Sequence, residues 1–133
     1  MDAYCIPDFK TVCNKLLKNN SYSHVFQEII KVFHERSVED CIFGTCLFQK
    51  DQLFYIKKDI GGRSGFRLYY IVLKDSKKIY FGFIHPKTGS DGSSNTTTEF
   101  RSSLPSEILA AIDEKKLLKV TITNKRVLFT EME

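Results

Sequence analysis

Basic residues are concentrated in one apolar part of the chain, residues 55–89. This segment holds two acidic residues, Asp59 and Asp75, and eight basic ones: Lys57, Lys58, Arg63, Arg67, Lys74, Lys77, Lys78 and Lys87. The local charge is therefore +6, whereas the whole chain of 133 residues carries only +4. Such a concentration of positive charge attracts polyanions or keeps a protein in solution, so binding of a polyanion is the first function to consider.

Other chemistries have little support in the sequence. The glycine-rich stretch IGGRSG, residues 60–65, lacks the Lys-Ser/Thr ending and the following helix of a Walker motif. The sequence contains no nucleophile elbow and no paired carboxylates placed for acid–base work. The cysteines have no metal-ligand spacing beside a histidine, and they are Cys5, Cys13, Cys41 and Cys46. We therefore expect reduced, mostly buried thiols, no metal and no cofactor.

The N-terminal part of the chain predicts one strand followed by two amphipathic helices. Residues 3–6 form the strand, which Pro7 ends. Apolar residues recur at helical spacing from Phe9 to Leu17 and again from Phe26 to Phe33. A short Asn-Asn-Ser connection joins the two stripes, so we expect an antiparallel helical hairpin.

The middle of the chain predicts β-structure. Residues 41–48 and 52–58 are strand candidates, Phe66–Leu73 is the strongest strand, and Ile79–His85 returns antiparallel to it. Pro86 ends the last of these strands. If helices cover one face of this sheet, the opposite face would be open in part.

Strand alternation predicts which side chains share a face of these two strands. Arg67 and Tyr69 lie together on one side of the first strand. In the second strand, one face is expected to hold Ile79, Phe81, Phe83 and His85. The partly open face is expected to carry Arg67 and a tyrosine.

The C-terminal part predicts a loop, a helix and a hairpin. Residues 88–98 are polar, lack an apolar side chain and are expected to form a flexible loop. Pro105 is expected to start a short helix, and the sequence predicts a β-hairpin over Leu117–Met132. The chain is therefore predicted to be one α+β domain, with a core over 1–90 and an extension over 99–133.

The stretch GRSGFRLYYIVLKDSKKIYFGFIHPKTG resembles the central strands of the RelE/ParE/HigB superfamily of bacterial toxins. In that superfamily a Gly–aromatic–Arg step opens a strand that ends in Tyr, and the next strand leads into a basic segment containing Lys. The run Gly65-Phe66-Arg67 reproduces this step, and the β-α-α-β-β-β order of residues 1–90 also fits. The resemblance implies a RelE-like fold, in which an N-terminal helical hairpin packs on a small antiparallel β-sheet. This chain would add a C-terminal helix and a strand or hairpin.

The resemblance also implies a function. Ribonuclease members of the superfamily cleave mRNA without a metal ion, commonly in the ribosomal decoding site, by attack of the RNA 2′-hydroxyl on the adjacent phosphate. This chain would then be the toxin of a toxin–antitoxin system and would inhibit translation. Its partners would be a cognate antitoxin and mRNA at the ribosome.

Site residues follow from the same resemblance. The candidate catalytic residues are Arg67 on the scissile phosphate, His85 as general acid or base and Lys87 against the transition-state charge. The candidate RNA-binding residues are Lys57, Lys58, Arg63 and Tyr69, the first three for flanking phosphates and the tyrosine for stacking on a base.

Alternative interpretations remain open at this point. The chain could be a non-catalytic module of the same fold that binds gyrase or RNA, or a small protein-interaction domain whose C-terminal hairpin offers an edge for pairing. Arg67 could extend over a half-buried sheet face, and His85 before a proline could be a surface turn residue. The N-terminus has no signal peptide pattern, and no apolar stretch reaches the ~20 residues that span a bilayer. We therefore expect a cytoplasmic protein that does not contact a membrane.

Overall fold

Seven strands and four helices make up the fold in the computed structural model, which describes residues 1–87 and 98–132. The strands are β1 (Asp2–Cys5), β2 (Thr45–Lys50), β3 (Leu53–Ile60), β4 (Phe66–Leu73), β5 (Lys78–Pro86), β6 (Leu118–Ile122) and β7 (Val127–Glu131). The helices are α1 (Pro7–Leu17), α2 (Val25–Phe33), α3 (Val38–Cys41) and α4 (Thr98–Asp113).

All seven strands belong to one sheet, in the order β2-β3-β4-β5-β1-β6-β7. Neighbouring strands are antiparallel except β1 and β5, which run parallel. The predicted α+β class is confirmed. The sheet is larger than the small antiparallel sheet that we expected, because the C-terminal hairpin of β6 and β7 joins it through β1. The hairpin thus extends the sheet at its edge and does not lie across the faces of β4 and β5.

Helices α1 and α2 cover one face of the sheet, here called the α1/α2 face. Phe9 of α1 stacks on Phe81 of β5 with ring centroids 5.3 Å apart. Phe33 of α2 meets the rings of Tyr70 and Phe81 edge-on at 5.5 and 5.1 Å. These aromatic side chains are buried, and they form the centre of the core.

Helix α4 covers part of the opposite face, here called the α4 face. Its buried residues Leu104 and Ile108 lie above Gly82 of β5. A Cβ atom on Gly82 would stand 2.9 Å from Ile108 Cδ1 and 3.0 Å from Leu104 Cδ2. Glycine at this position therefore lets the helix approach the sheet closely.

A β-bulge at Gly82 changes which side chains of β5 share a face. Tyr69 pairs with Phe83 and Tyr70 pairs with Phe81, so Gly82 is an extra residue in β5. The expectation that Phe81, Phe83 and His85 share one face was therefore wrong. Phe81 lies on the α1/α2 face, while Phe83 and His85 lie on the α4 face with Tyr69. The centroid of the Tyr69 ring is 6.4 Å from that of Phe83 and 5.9 Å from that of His85.

Helix α4 starts earlier than predicted, because Pro105 lies inside it rather than at its start. A proline has no N–H, so the carbonyl of Arg101, four residues earlier, loses its helical donor. The Tyr55 hydroxyl of β3 donates to that carbonyl oxygen at 2.8 Å. A strand side chain thus replaces the bond that the proline removes, and it attaches the first half of α4 to the sheet.

Two further sequence predictions differ from the structure or fall outside it. Residues 41–48 were expected to be extended, but α3 ends at Cys41 and β2 begins only at Thr45. The side chain of Ser37 accepts a hydrogen bond from the Asp40 amide at 3.2 Å and starts this short helix. Of the predicted flexible loop, residues 88–97 lie outside the described residues, and Thr98 begins α4.

Three of the four cysteines are buried in the core, and Cys46 is exposed on β2. Burial raises the pKa of the Cys5 thiol to about 12, so this side chain behaves as a small apolar group. No helix in the described part of the chain is long and apolar enough to cross a membrane.

The Tyr55–Arg101 bond can be tested with a double-mutant cycle. Tyr55→Phe removes the donor, and we expect it to lower the free energy of unfolding by about 1 kcal/mol. In a Pro105→Ala background the restored N–H can donate to the Arg101 carbonyl. Tyr55→Phe should therefore lower the free energy of unfolding by less in that background. Urea unfolding of the four proteins measures both costs. Equal costs in the two backgrounds would show that the tyrosine does not compensate for the proline.

Candidate functional site

Three strands bring several of the predicted site residues to one end of the sheet, on the α4 face. In the antiparallel registers, Asp59 of β3 pairs with Arg67 of β4, and Arg67 pairs with His85 of β5. Lys87 follows β5 directly. Residues that are far apart in sequence therefore become neighbours because of strand pairing.

Gly65 fixes the start of β4 and the position of Lys87. A Cβ atom on Gly65 would overlap the carbonyl oxygen of Ile60, so a larger residue cannot occupy this turn without a backbone shift. The Gly65 carbonyl accepts a hydrogen bond from the Lys87 amide at 3.0 Å. The glycine of the Gly–aromatic–Arg step thus links the strand that carries Arg67 to the segment that carries Lys87.

The carboxylate of Asp59 connects two of the predicted cations. Arg67 Nε donates to Asp59 Oδ1 at 2.9 Å, and Lys87 Nζ lies 3.8 Å from Asp59 Oδ2. The hydrogen bond from Arg67 is the main cause that lowers the pKa of Asp59, and the charges of Arg67, Lys87 and Lys57 lower it further. The carboxylate is therefore ionised at neutral pH. Its side chain is 48% exposed, so the ion pairs are open to solvent on one side.

Arg101 of α4 also acts on this end of the sheet, although it was not among the site residues predicted from the sequence. Burial raises the pKa of Tyr69 and lowers that of His85, and the charge of Arg101 lowers both values. We call Lys57, Arg67 and Lys87, which act on Asp59, together with Arg101, which acts on Tyr69 and His85, the basic cluster. Its four positive charges and the negative charge of Asp59 together give a net charge of +3.

His85 lies beneath the basic cluster and is only 3% exposed. Its Nδ1 is 2.8 Å from the Pro86 carbonyl oxygen, so Nδ1 carries the hydrogen and donates it. Nε2 then has its lone pair towards the Tyr69 hydroxyl, at 3.5 Å. Burial is the main cause that lowers the pKa of His85, so the ring is neutral at pH 7.

Tyr69 is not placed as expected. The resemblance implied that it stacks on a base, but the side chain is 1% exposed and packs against the rings of Phe83 and His85. Phe83 in turn packs against Phe100 of α4, with centroids 4.9 Å apart. The prediction was wrong because α4 covers this part of the sheet. Tyr69 supports the basic cluster from below and presents no free ring face.

Two of the predicted RNA-binding residues do not join the basic cluster. Lys58 points away from it, because the side chains of neighbouring strand residues alternate. Its Nζ donates to the Phe43 carbonyl at 2.8 Å. Arg63 is exposed in the turn between β3 and β4. The structure therefore brings together Lys57, Arg67 and Lys87 of the predicted set.

Two residues at this end of the sheet, Asp59 and Arg101, were missed for different reasons. Asp59 was counted only as an acidic residue in a basic segment, and its role depends on the register that places it opposite Arg67. Arg101 follows the polar loop and lies before the predicted start of the helix. The sequence signal that could have placed Arg101 was Pro105. A proline inside a helix leaves the carbonyl of the residue four positions earlier, here Arg101, without its helical donor.

Within residues 1–87 and 98–132, no group of three or more His, Cys, Asp or Glu side chains is arranged to hold a metal ion. Comparisons of the chain with known protein families, curated proteins and solved structures found no match.

The burial of His85 predicts how it titrates. Because the folded state disfavours the imidazolium, its pKa should lie below the ordinary 6.5 in an NMR titration. The neutral His85 ring contributes to the free energy of unfolding above pH 6.5. This contribution is lost as the pH falls towards the lowered pKa of His85. Between pH 7.5 and 5.5 the wild type should lose more unfolding free energy than His85→Phe, which lacks this imidazole. A His85 pKa at or above 6.5 would contradict the buried, neutral ring.

Proposed function

We propose that this protein is a toxin of the RelE/ParE/HigB type, a metal-free endoribonuclease that acts on mRNA. The observation that carries the proposal is the basic cluster, in which cations from β3, β4, α4 and the end of β5 meet at a partly exposed end of the sheet. A polyanion is the natural ligand of such a cluster. Arg67 and Lys87 are two residues that the resemblance implies for phosphate chemistry.

The chain order of the elements supports a RelE-like core over residues 1–90. Strand β1 is followed by α1 and α2, and the β2–β5 meander comes next, with only the short α3 added. Arg67 is the second residue of β4, directly after the glycine turn, as the Gly–aromatic–Arg step requires. Helix α4 and the hairpin of β6 and β7 are additions to this core.

The cluster suits stabilisation of charge during attack of the 2′-hydroxyl on the adjacent phosphorus. In that step the bond to the 5′-oxygen breaks, a 2′,3′-cyclic phosphate and a 5′-hydroxyl form, and a proton moves from the attacking to the leaving oxygen. Arg67 uses one of the five N–H donors of its guanidinium for Asp59, and the others are suited to phosphate oxygens. Lys87 adds a second positive charge close by. Electrostatic stabilisation of this kind commonly contributes more to catalysis than any other single effect.

Asp59 holds the cations in place before RNA binds. The pair with Arg67 is partly exposed, with 28% of the arginine side chain accessible, so it contributes at most about 1 kcal/mol. A phosphate group can replace the carboxylate at low cost. We propose that Asp59 positions Arg67 and Lys87 and is displaced from them when RNA arrives.

A second candidate is a non-catalytic RNA-binding module with the same fold. The burial of His85 favours it, because Nε2 is turned to the Tyr69 hydroxyl and has no direct route to an RNA hydroxyl.

In either case the proposed partners are mRNA, at the ribosome for the nuclease, and a cognate antitoxin that covers the basic cluster. The proposed location is the cytoplasm, where these partners are found.

Cleavage can be tested by primer extension on cellular mRNA after brief induction. We expect discrete 5′ ends in translated transcripts, reduced by about 10²–10³-fold in Arg67→Gln because a donor to the developing charge is lost. Arg126→Gln, on the exposed turn of the β6–β7 hairpin, removes the same charge elsewhere and should leave cleavage unchanged.

The other outcomes separate the two candidates. Binding of RNA by the purified wild type without new 5′ ends would select the non-catalytic module. Neither cleavage nor RNA binding would contradict both. Equal losses in Arg67→Gln and Arg126→Gln would mean that total charge, rather than the basic cluster, is responsible.

A further inference from the structure

A cavity on the α4 face lies at the opposite end of β5 from the basic cluster. It has a volume of about 380 Å³, and it forms where the C-terminal end of α4 meets β1 and β5. Tyr80 and His85 are five residues apart on β5, or ~17 Å at the usual rise per residue. The cavity is therefore a separate site.

Two tyrosines form the floor of the cavity. Tyr4 and Tyr80 are direct partners in the parallel pairing of β1 and β5. Their rings stack with centroids 5.4 Å apart and an angle of 21° between the planes. Tyr80 is 4% exposed, so the floor is fixed by packing. Ile112 of α4 and Leu117 add an apolar wall.

Two lysines, Lys78 and Lys115, line the same cavity, and its lining in the described residues includes no carboxylate. Lys78 Nζ is 6.0 Å from the centre of the Tyr4 ring. A third lysine, Lys119, lies beside the cavity with its Nζ 5.2 Å from the same ring, and Asp2 holds it at 3.5 Å. The cavity thus has an aromatic floor and a cationic border.

The backbone of Lys115 is held in an uncommon conformation. Its φ is 57°, in the left-handed region that residues with a side chain seldom adopt. The Lys116 amide donates to the Ala111 carbonyl at 2.9 Å, which closes the end of α4 and fixes this turn. A glycine would suit this position better for the backbone alone, whereas the lysine adds a positive charge to the cavity.

The shape and charge of the cavity identify a ligand class. An aromatic and aliphatic interior accepts a planar ring, and the lysines at its border accept an anionic group. Proteins that bind single-stranded nucleic acid combine aromatic and basic side chains in this way. The volume is near the lower end of the ~300–1,000 Å³ typical of ligand sites, which suits one nucleotide. We propose that this cavity binds a nucleoside phosphate, either free or as one nucleotide of a single-stranded RNA.

Calorimetric titration of the full chain with UMP, and separately with a uridine hexanucleotide, tests the proposal. We expect Lys78→Gln/Lys115→Gln to weaken binding at least tenfold. Lys50→Gln/Lys125→Gln removes the same charge from two exposed lysines elsewhere and should leave the affinity unchanged. Binding of UMP indicates a free nucleotide, and binding of the hexanucleotide alone indicates RNA. Either outcome supports the site if Lys78→Gln/Lys115→Gln weakens the binding that is observed.

Three results would overturn the proposal. The wild type could bind neither UMP nor the hexanucleotide, or both double variants could lose binding equally. Laurate could bind in place of UMP, which would show a site for an aliphatic anion.

Discussion

The bulge at Gly82 is the constraint on which the candidate site depends. One extra residue in β5 turns Phe83 and His85 to the α4 face, whereas Phe81 before it stays in the α1/α2 core. The missing side chain of Gly82 also leaves room for Ile108 of α4. The same residue therefore builds the aromatic support beneath the basic cluster and seats the helix that carries Arg101.

The basic cluster combines a rigid base with an exposed, charged surface. Tyr69 and His85 are packed below it and hold β4 and β5 in register, while Asp59 links Arg67 to Lys87 above them. A buried ion pair would resist replacement by a ligand, but this pair is half open to solvent and is therefore weak. The arrangement keeps the cations together and leaves them available for phosphate, which is what the proposed binding of RNA at this end of the sheet requires.

The sequence predicted the parts of the fold that depend on local pattern. The bounds of β4 were correct, because Phe66–Leu73 is a continuous β-prone run between a glycine turn and a polar turn. The bulge could not be predicted, since the alternation in residues 79–85 looks the same with or without an extra residue. Asp59 and Arg101 required the register of β3 and the path of α4. The burial of Tyr69 likewise depends on α4, which starts before the proline taken as its beginning.

The affinity of Asp59→Asn for a single-stranded RNA, measured across a range of salt concentrations, tests the proposed site most directly. If phosphate takes the place of the carboxylate, this variant should bind RNA more tightly than the wild type. The slope of log K against log salt should steepen by up to about 0.7, because one competing charge is removed. Asp75→Asn makes the same charge change in the exposed turn between β4 and β5 and should have little effect. Unchanged or weaker binding by a folded Asp59→Asn protein would contradict the proposed site.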